Sequence, residues 1–70
     1  YTEKWWMYQY MIVKAYLDYG IAFKDQNALN NVIVKVRQWD TLGVLENSPY
    51  RDKIRGVERK ANQEKARLGG

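Results

Sequence analysis

The feature of this chain that most restricts its fold is the recurrence of apolar residues at helical intervals in three segments. In the first segment two apolar stripes lie side by side when residues are placed about 100° apart. The second segment carries one stripe with intervals of three and one residues. The third follows Ser48-Pro49, a capping residue and a proline that together mark a helix start. The spacing predicts an all-α fold, a small three-helix bundle with helices at about 2–19, 28–42 and 49–67.

Residues that favour helix ends support these bounds. Thr2 and Asn27 are suited to N-caps, and Gly20 and Gly43 are suited to the left-handed position just past a helix. Beyond Val57 the apolar stripe thins, so residues of about 60–70 are expected to extend past the core or to fray. The whole chain, 1–70, is expected to form one domain. The predicted core consists of Trp5, Ile12, Tyr16, Leu29, Ile33, Val36, Trp39, Ile54 and Val57.

Residues 31–39 leave a second fold open. The run from Val32 to Val36 is rich in β-branched residues, which favour strands. Pairing this run with residues 21–24 would give an α+β fold with a short hairpin at about 21–38. The clean helical stripe from Leu29 to Trp39 favours the helix.

The composition excludes several kinds of chemistry. The chain has no Cys and no His, which excludes disulfides, zinc sites, haem ligation, thiol nucleophiles and imidazole catalysis. Its carboxylates are scattered, and Ser48 has no neighbouring base, so we expect a non-enzymatic protein without a cofactor. The lack of Cys slightly favours a reducing intracellular compartment. A 70-residue chain without disulfides or a bound metal is also expected to associate with a protein partner or with itself.

The positive charge is confined to the end of the chain. The last twenty residues hold seven basic and three acidic residues, which accounts for the whole net charge of +4. A guanidinium ridge is predicted from arginines four residues apart on the third helix. Such residues either contact nucleic-acid phosphates or simply border a core stripe by laying their stems over it. On the first interpretation, DNA or RNA is bound by Arg51, Arg55, Arg59 and Lys60.

The aromatic residues are concentrated at the other end. Seven of the ten rings lie in the first twenty residues, more than two small companion helices can cover. An exposed apolar patch of this kind marks an interface more often than not. The alternative function is therefore a structural accessory subunit of a larger assembly. The predicted protein interface is the second stripe, consisting of Trp6, Tyr10, Val13 and Leu17.

The same segment argues against a membrane span. The apolar run from Trp5 to Tyr19 is interrupted by Gln9, Lys14 and Asp18, and it is shorter than the about 20 residues that a span requires. The chain is therefore not expected to cross a membrane.

Residues 14–45 resemble the helicase-associated domain, a small three-helix module. The residues that match the family's pattern near the end of the first helix are Lys14-Ala15-Tyr16 and Gly20. Those that match it later in the chain are Leu29, Ile33, Arg37, Gly43 and Leu45. Val32 stands in place of the family's Trp, and Val36 in place of its Gln. The resemblance implies a nucleic-acid-binding accessory module with Arg37 as a basic contact residue.

Overall fold

The computed structural model of the chain describes residues 1–69 and contains three α-helices. Helix α1 is Glu3–Phe23, α2 is Gln26–Thr41 and α3 is Arg51–Gly69, with a 3₁₀ turn at Leu45–Asn47 before α3. No strand occurs in the described residues. The predicted all-α three-helix bundle is confirmed, and the alternative hairpin at 21–38 is wrong.

Helix α1 begins as predicted but ends later. The Trp5 N–H donates to Thr2 Oγ1 at 3.1 Å, which confirms Thr2 as the N-cap. The helix continues through Gly20 to Phe23, and Lys24 takes the left-handed conformation with φ 53°. The prediction that Gly20 ends this helix was therefore wrong.

Helix α2 is capped by Asp25 instead of Asn27. The Asp25 carboxylate accepts hydrogen bonds from the N–H groups of Asn27 and Ala28 at 2.9 and 3.3 Å. Only two residues, Lys24 and Asp25, separate α1 from α2. Gly43 has a φ of 75° just past the helix, as predicted from its position.

The start of α3 lies slightly after its predicted position. Ser48 Oγ accepts a hydrogen bond from the Tyr50 N–H at 3.0 Å, so the Ser-Pro pair forms the turn that leads into the helix. The helix itself begins at Arg51.

The far end of α3 stays packed. Ala61 is fully buried, and Leu68 is half-buried against the core. Gly69 lies beside the side chain of Gln26, at the start of α2. Residues 60–69 therefore do not extend past the core, as one part of the prediction had it, and fraying of these turns stays a prediction; Gly70 lies outside the described residues.

The three helices run up, down and up. The Trp6 and Trp39 rings meet edge to face with centroids 5.3 Å apart, which places the start of α1 beside the end of α2. Arg55, near the start of α3, contacts Asp40 near the end of α2. Both α1 and α3 are therefore antiparallel to α2.

The core uses a different face of α1 from the predicted one. Ile12 and Tyr16 are 40% and 43% exposed, so their assignment to the core was wrong, and Trp5 is half-buried at the edge. The predicted core residues that are buried are Leu29, Ile33, Val36, Trp39, Ile54 and Val57. Further buried residues are Trp6, Val13, Leu17, Ala28, Val32, Leu45 and Ala61.

Gly20 explains the choice of face. It continues the buried stripe of Trp6, Val13 and Leu17 at intervals of seven, four and three residues. A Cβ atom at Gly20 would lie 2.6 Å from Leu29 Cδ2 and 2.8 Å from its Cγ, so only glycine allows this approach. Because the turn between α1 and α2 is so short, this contact fixes the rotation of α1 about its own axis.

We expect Gly20→Ala to destabilise the protein although alanine favours helix. Leu29 is fully buried and cannot move aside cheaply, so we expect the free energy of unfolding to fall by about 1–2 kcal/mol. Gly56→Ala is the matched control, because nothing lies within 4 Å of a Cβ there. That change should stabilise by up to about 1 kcal/mol. Urea unfolding of both variants checks this, and equal stabilities would contradict the Gly20 contact.

Candidate interaction surfaces

Helix α1 carries an apolar stripe that faces solvent. Tyr8, Ile12, Tyr16, Tyr19 and Phe23 follow one another at intervals of four, four, three and four residues and are 40% to 69% exposed. We call these five residues the α1 stripe. With about 200 Å² for a whole ring, its four rings expose on the order of 400 Å². That is within the range of the largest patch on a typical monomer, which is often functional.

An open groove between α1 and α2 adjoins the stripe. The part that both helices line next to the α1–α2 turn has a volume of about 450 Å³. A second depression shares Tyr16 and Asn31 with it, and a third shares Val34 and Gln38 with the second, so the three are continuous. The part next to the α1–α2 turn is lined by Ile12, Ala15, Tyr16, Tyr19, Asp25, Asn27, Ala28 and Asn31.

The groove has a charge at each end and little charge between. Asp25 lies at the end next to the α1–α2 turn, and Arg37 lies in the third depression, which residues of α2 and Leu42 line. Lys35 is half-buried between them. All described lining residues belong to α1, α2 or the segments adjoining α2, so the groove faces away from α3. The uncharged polar residues of its lining are Asn27, Asn31, Gln38 and Thr41.

The predicted protein interface does not lie on the surface. Trp6, Val13 and Leu17 are at most 4% exposed and belong to the core. Tyr10 is half-buried and stacks on Tyr50 with ring centroids 5.7 Å apart. The prediction that these four residues form a docking surface was therefore wrong, because Gly20 turns their side of α1 towards α2 and α3.

The sequence did contain a signal for the exposed stripe. Three of its five members are tyrosines, whose hydroxyl groups would each require a hydrogen-bond partner inside a core. The other stripe has only one tyrosine, Tyr10, and its members Val13 and Leu17 have no polar side-chain atom to satisfy. Weighing the hydroxyl groups, and placing Gly20 on the stripe that it continues, identifies the buried face correctly.

Two arginines of the guanidinium ridge, Arg51 and Arg55, form ion pairs at the surface of the bundle. Arg55 Nη2 donates to Asp40 Oδ1 at 2.9 Å and to Glu46 Oε1 at 3.0 Å, joining α3 to α2 and to the 3₁₀ turn. These hydrogen bonds, first that to Asp40 and then that to Glu46, raise the pKa of Arg55 above its ordinary value. Arg51 contacts Asp52 at 3.3 Å and Glu46 at 3.6 Å. The charges of both guanidinium groups are therefore partly offset by carboxylates of the same chain.

Lys60 is paired as well. It lies 3.5 Å from Glu64, which also accepts a hydrogen bond from Arg67 at 3.0 Å. The side chain of Glu64 is only 11% exposed, so these two cations offset the charge of a carboxylate held against the bundle.

Arg37 and Arg59 remain from the predicted phosphate site. Both are exposed, and neither forms an ion pair with a described residue. Since α2 and α3 are antiparallel and Asp40 meets Arg55, Arg37 and Arg59 lie about one turn farther along, at the same height on the bundle. These two arginines lie on different helices, Arg37 beside the groove on α2 and Arg59 on α3.

Other kinds of site are not found in residues 1–69. This part of the chain has no group of three His, Cys, Asp or Glu residues that could hold a metal ion. None of its helices combines the length and the apolar character that crossing a membrane requires.

We expect the arginines of the ridge to differ in their effect on stability. Arg55→Ala breaks both carboxylate contacts and should lower the free energy of unfolding by up to about 1 kcal/mol in low salt. High salt should shrink this difference. Arg59→Ala is the matched control and should stay within about 0.5 kcal/mol of the unaltered chain. Chemical denaturation at two salt concentrations measures both, and similar losses for the two variants would contradict the assignment.

Comparisons with protein-family models, with curated proteins and with solved structures give no match to this chain. The resemblance of residues 14–45 to the helicase-associated domain therefore stays a prediction, and the surfaces described above carry the functional inference.

Proposed function

We propose that this chain is a non-enzymatic docking module, a structural subunit that binds a protein partner through the α1 stripe and the adjoining groove. One observation carries the proposal. The α1 stripe keeps apolar side chains in solvent along the length of a helix whose opposite face already fills the core.

The composition of the stripe supports an interface. Tyrosine and phenylalanine are enriched at protein interfaces, because each ring provides a large contact area and a tyrosine also offers a hydroxyl group. Charged residues are depleted at interface centres, and the α1 stripe has none. The ends of the groove carry Asp25 and Arg37, which fits the polar rim of an interface.

The charged residues support a non-enzymatic role. Asp40, Glu46 and Glu64 accept contacts from arginine or lysine, and Asp18 accepts from Lys14 at 2.7 Å. These carboxylates are used in ion pairs and helix contacts, and none of them lines the groove. The lining of the groove consists mainly of amides, rings and aliphatic groups, with Asp25, Lys35 and Arg37 as its charged residues, a composition more typical of binding than of catalysis.

A photo-crosslinking residue in place of Tyr16 tests the docking surface. With p-benzoyl-phenylalanine at this position, irradiation in cells that express the chain should give a discrete adduct, since Tyr16 lies at the centre of the α1 stripe. The same residue at Arg59, exposed on α3, is the matched control and should give none. Denaturing electrophoresis detects the crosslinked adduct, and mass spectrometry determines its mass.

A second variant separates the surface from the fold. Ile12→Glu places a carboxylate beside the probe on an exposed position, so the helix content measured by circular dichroism should not change. The adduct should be lost, because a desolvated carboxylate opposes docking. If Tyr16 gives no adduct beyond that at Arg59, the docking function is refuted.

Contact with nucleic-acid phosphates is a second candidate, supported by Arg37 and Arg59, the two arginines of the predicted site that form no ion pair with a described residue. Two unpaired guanidinium groups at one height, on a chain of net charge +4, can bind phosphates by releasing counterions. The ion pairs of Arg51, Arg55 and Lys60 weaken this candidate relative to docking, since nearby carboxylates already offset part of their charge.

A salt titration of duplex and single-stranded DNA binding tests this candidate. If phosphates are bound, Arg37→Ala and Arg59→Ala should each weaken binding and lower the salt slope by about one. Arg55→Ala, checked for folding, should leave the slope nearly unchanged because its guanidinium is already paired. Binding that ignores salt, or that depends on Arg55 alone, would refute contact through Arg37 and Arg59.

A further inference from the structure

We infer that the groove between α1 and α2 binds a second copy of this chain, in a symmetric dimer with the two α1 helices antiparallel. The inference rests on the proposed function, because it names the partner that the docking surface takes. The twofold axis crosses the groove near Tyr16 and Asn31, the two residues shared by its adjoining depressions.

The α1 stripe is complementary to itself. In a dimer with twofold symmetry the same patch on both subunits meets, so each residue must suit its symmetry-related neighbours. An antiparallel arrangement about an axis beside Tyr16 brings Tyr8 to the height of Phe23 in the second copy. It likewise brings Ile12 to the height of Tyr19. Every member of the stripe then faces an apolar residue.

The charges of α2 select the same arrangement. Asp25 and Arg37 each lie six residues from Asn31, in opposite directions along the chain. Antiparallel packing about Asn31 therefore places each Asp25 at the height of Arg37 in the second copy. A parallel arrangement would bring like charges to the same height, which disfavours it.

The net charge does not prevent this dimer. Each copy carries +4, but the excess lies on α3, on the side of the bundle away from the groove. Packed helices have axes about 8–10 Å apart, so the α3 helices of the two copies are separated by several such spacings. That distance exceeds the about 8 Å over which physiological salt screens charges. The dimer thus keeps its two basic helices at opposite poles.

The available area fits a dimer of ordinary size. The bundle measures 36 × 20 × 16 Å, so its broadest face approaches the roughly 800 Å² that each partner contributes to a standard interface. The stripe supplies apolar contact area, and the amides of the groove, including Asn31 at the axis, supply hydrogen-bonding groups.

A single introduced thiol tests the position of the axis. The chain has no cysteine, so Asn31→Cys gives one unambiguous probe at an exposed position. Sedimentation equilibrium should show a dimer of the unaltered chain at submillimolar concentration. Mild oxidation should then join Asn31→Cys to its symmetry mate, since a disulfide requires Cα atoms within about 7 Å. Ala66→Cys, exposed on α3, is the matched control and should remain unlinked.

A pair of charge reversals tests the antiparallel order. Arg37→Glu and Arg59→Glu change the net charge equally, but only Arg37 lies at the groove. Arg37→Glu replaces two attractive contacts with two repulsive ones, so the dimer should dissociate roughly tenfold more readily. Arg59→Glu should leave the dissociation constant within about a factor of two.

Several outcomes overturn the inference. The dimer is refuted if the chain stays monomeric at submillimolar concentration. Its proposed axis is refuted if Ala66→Cys forms the disulfide as fast as Asn31→Cys. If the Tyr16 adduct has a mass other than twice that of the chain, the docking function stands and the second copy is refuted. If neither an adduct nor a dimer forms, both proposals fail.

Discussion

The close packing of Gly20 against Leu29 determines the arrangement of the rest of the molecule. Helices α1 and α2 are joined by only two residues, so the rotation of one helix relative to the other has little freedom. Because Gly20 has no side chain, the side chain of Leu29 packs directly against the backbone of α1 and is fully buried. Everything on the same face of α1 must then point inwards, and the opposite face must point to solvent. The core and the docking surface are consequences of the same contact.

Helix α2 also carries charged residues that connect it to the other parts of the bundle. Its end carries Asp40, which together with Glu46 holds Arg55 of α3. Its start is capped by Asp25, which also marks one end of the groove. Charges that look like a binding ridge in the sequence are therefore partly structural, because a carboxylate distant along the chain can be close in space.

The helical part of the fold could be predicted from the sequence, since period and capping residues are local properties. Thr2 as a cap, Gly43 as a stop and the stripe from Leu29 to Trp39 were all predicted correctly. The strand alternative for residues 31–39 was wrong because burial of Val32, Ile33 and Val36 outweighs the strand propensity of β-branched residues.

The candidate sites could not be predicted in the same way, because they depend on contacts between segments. Either stripe of α1 satisfies the helical period, and only the approach to Leu29 decides between them. The pairing of Arg55 with Asp40 spans fifteen residues and follows from the antiparallel packing of two helices. The period of a stripe shows that a face is apolar; which neighbour covers it depends on the tertiary structure.

The two faces of α1 are also coupled energetically. A bundle of 70 residues without disulfides or a metal has a small margin of stability, and its core depends on the inward face of α1. Any partner that covers the α1 stripe binds only the folded helix, because unfolding disperses Tyr8, Tyr16 and Phe23. Binding to the native state alone raises its stability by mass action. The aromatic rings of the α1 stripe are exposed in the isolated bundle. Once a partner covers them, its binding also stabilises the core on the opposite face of α1.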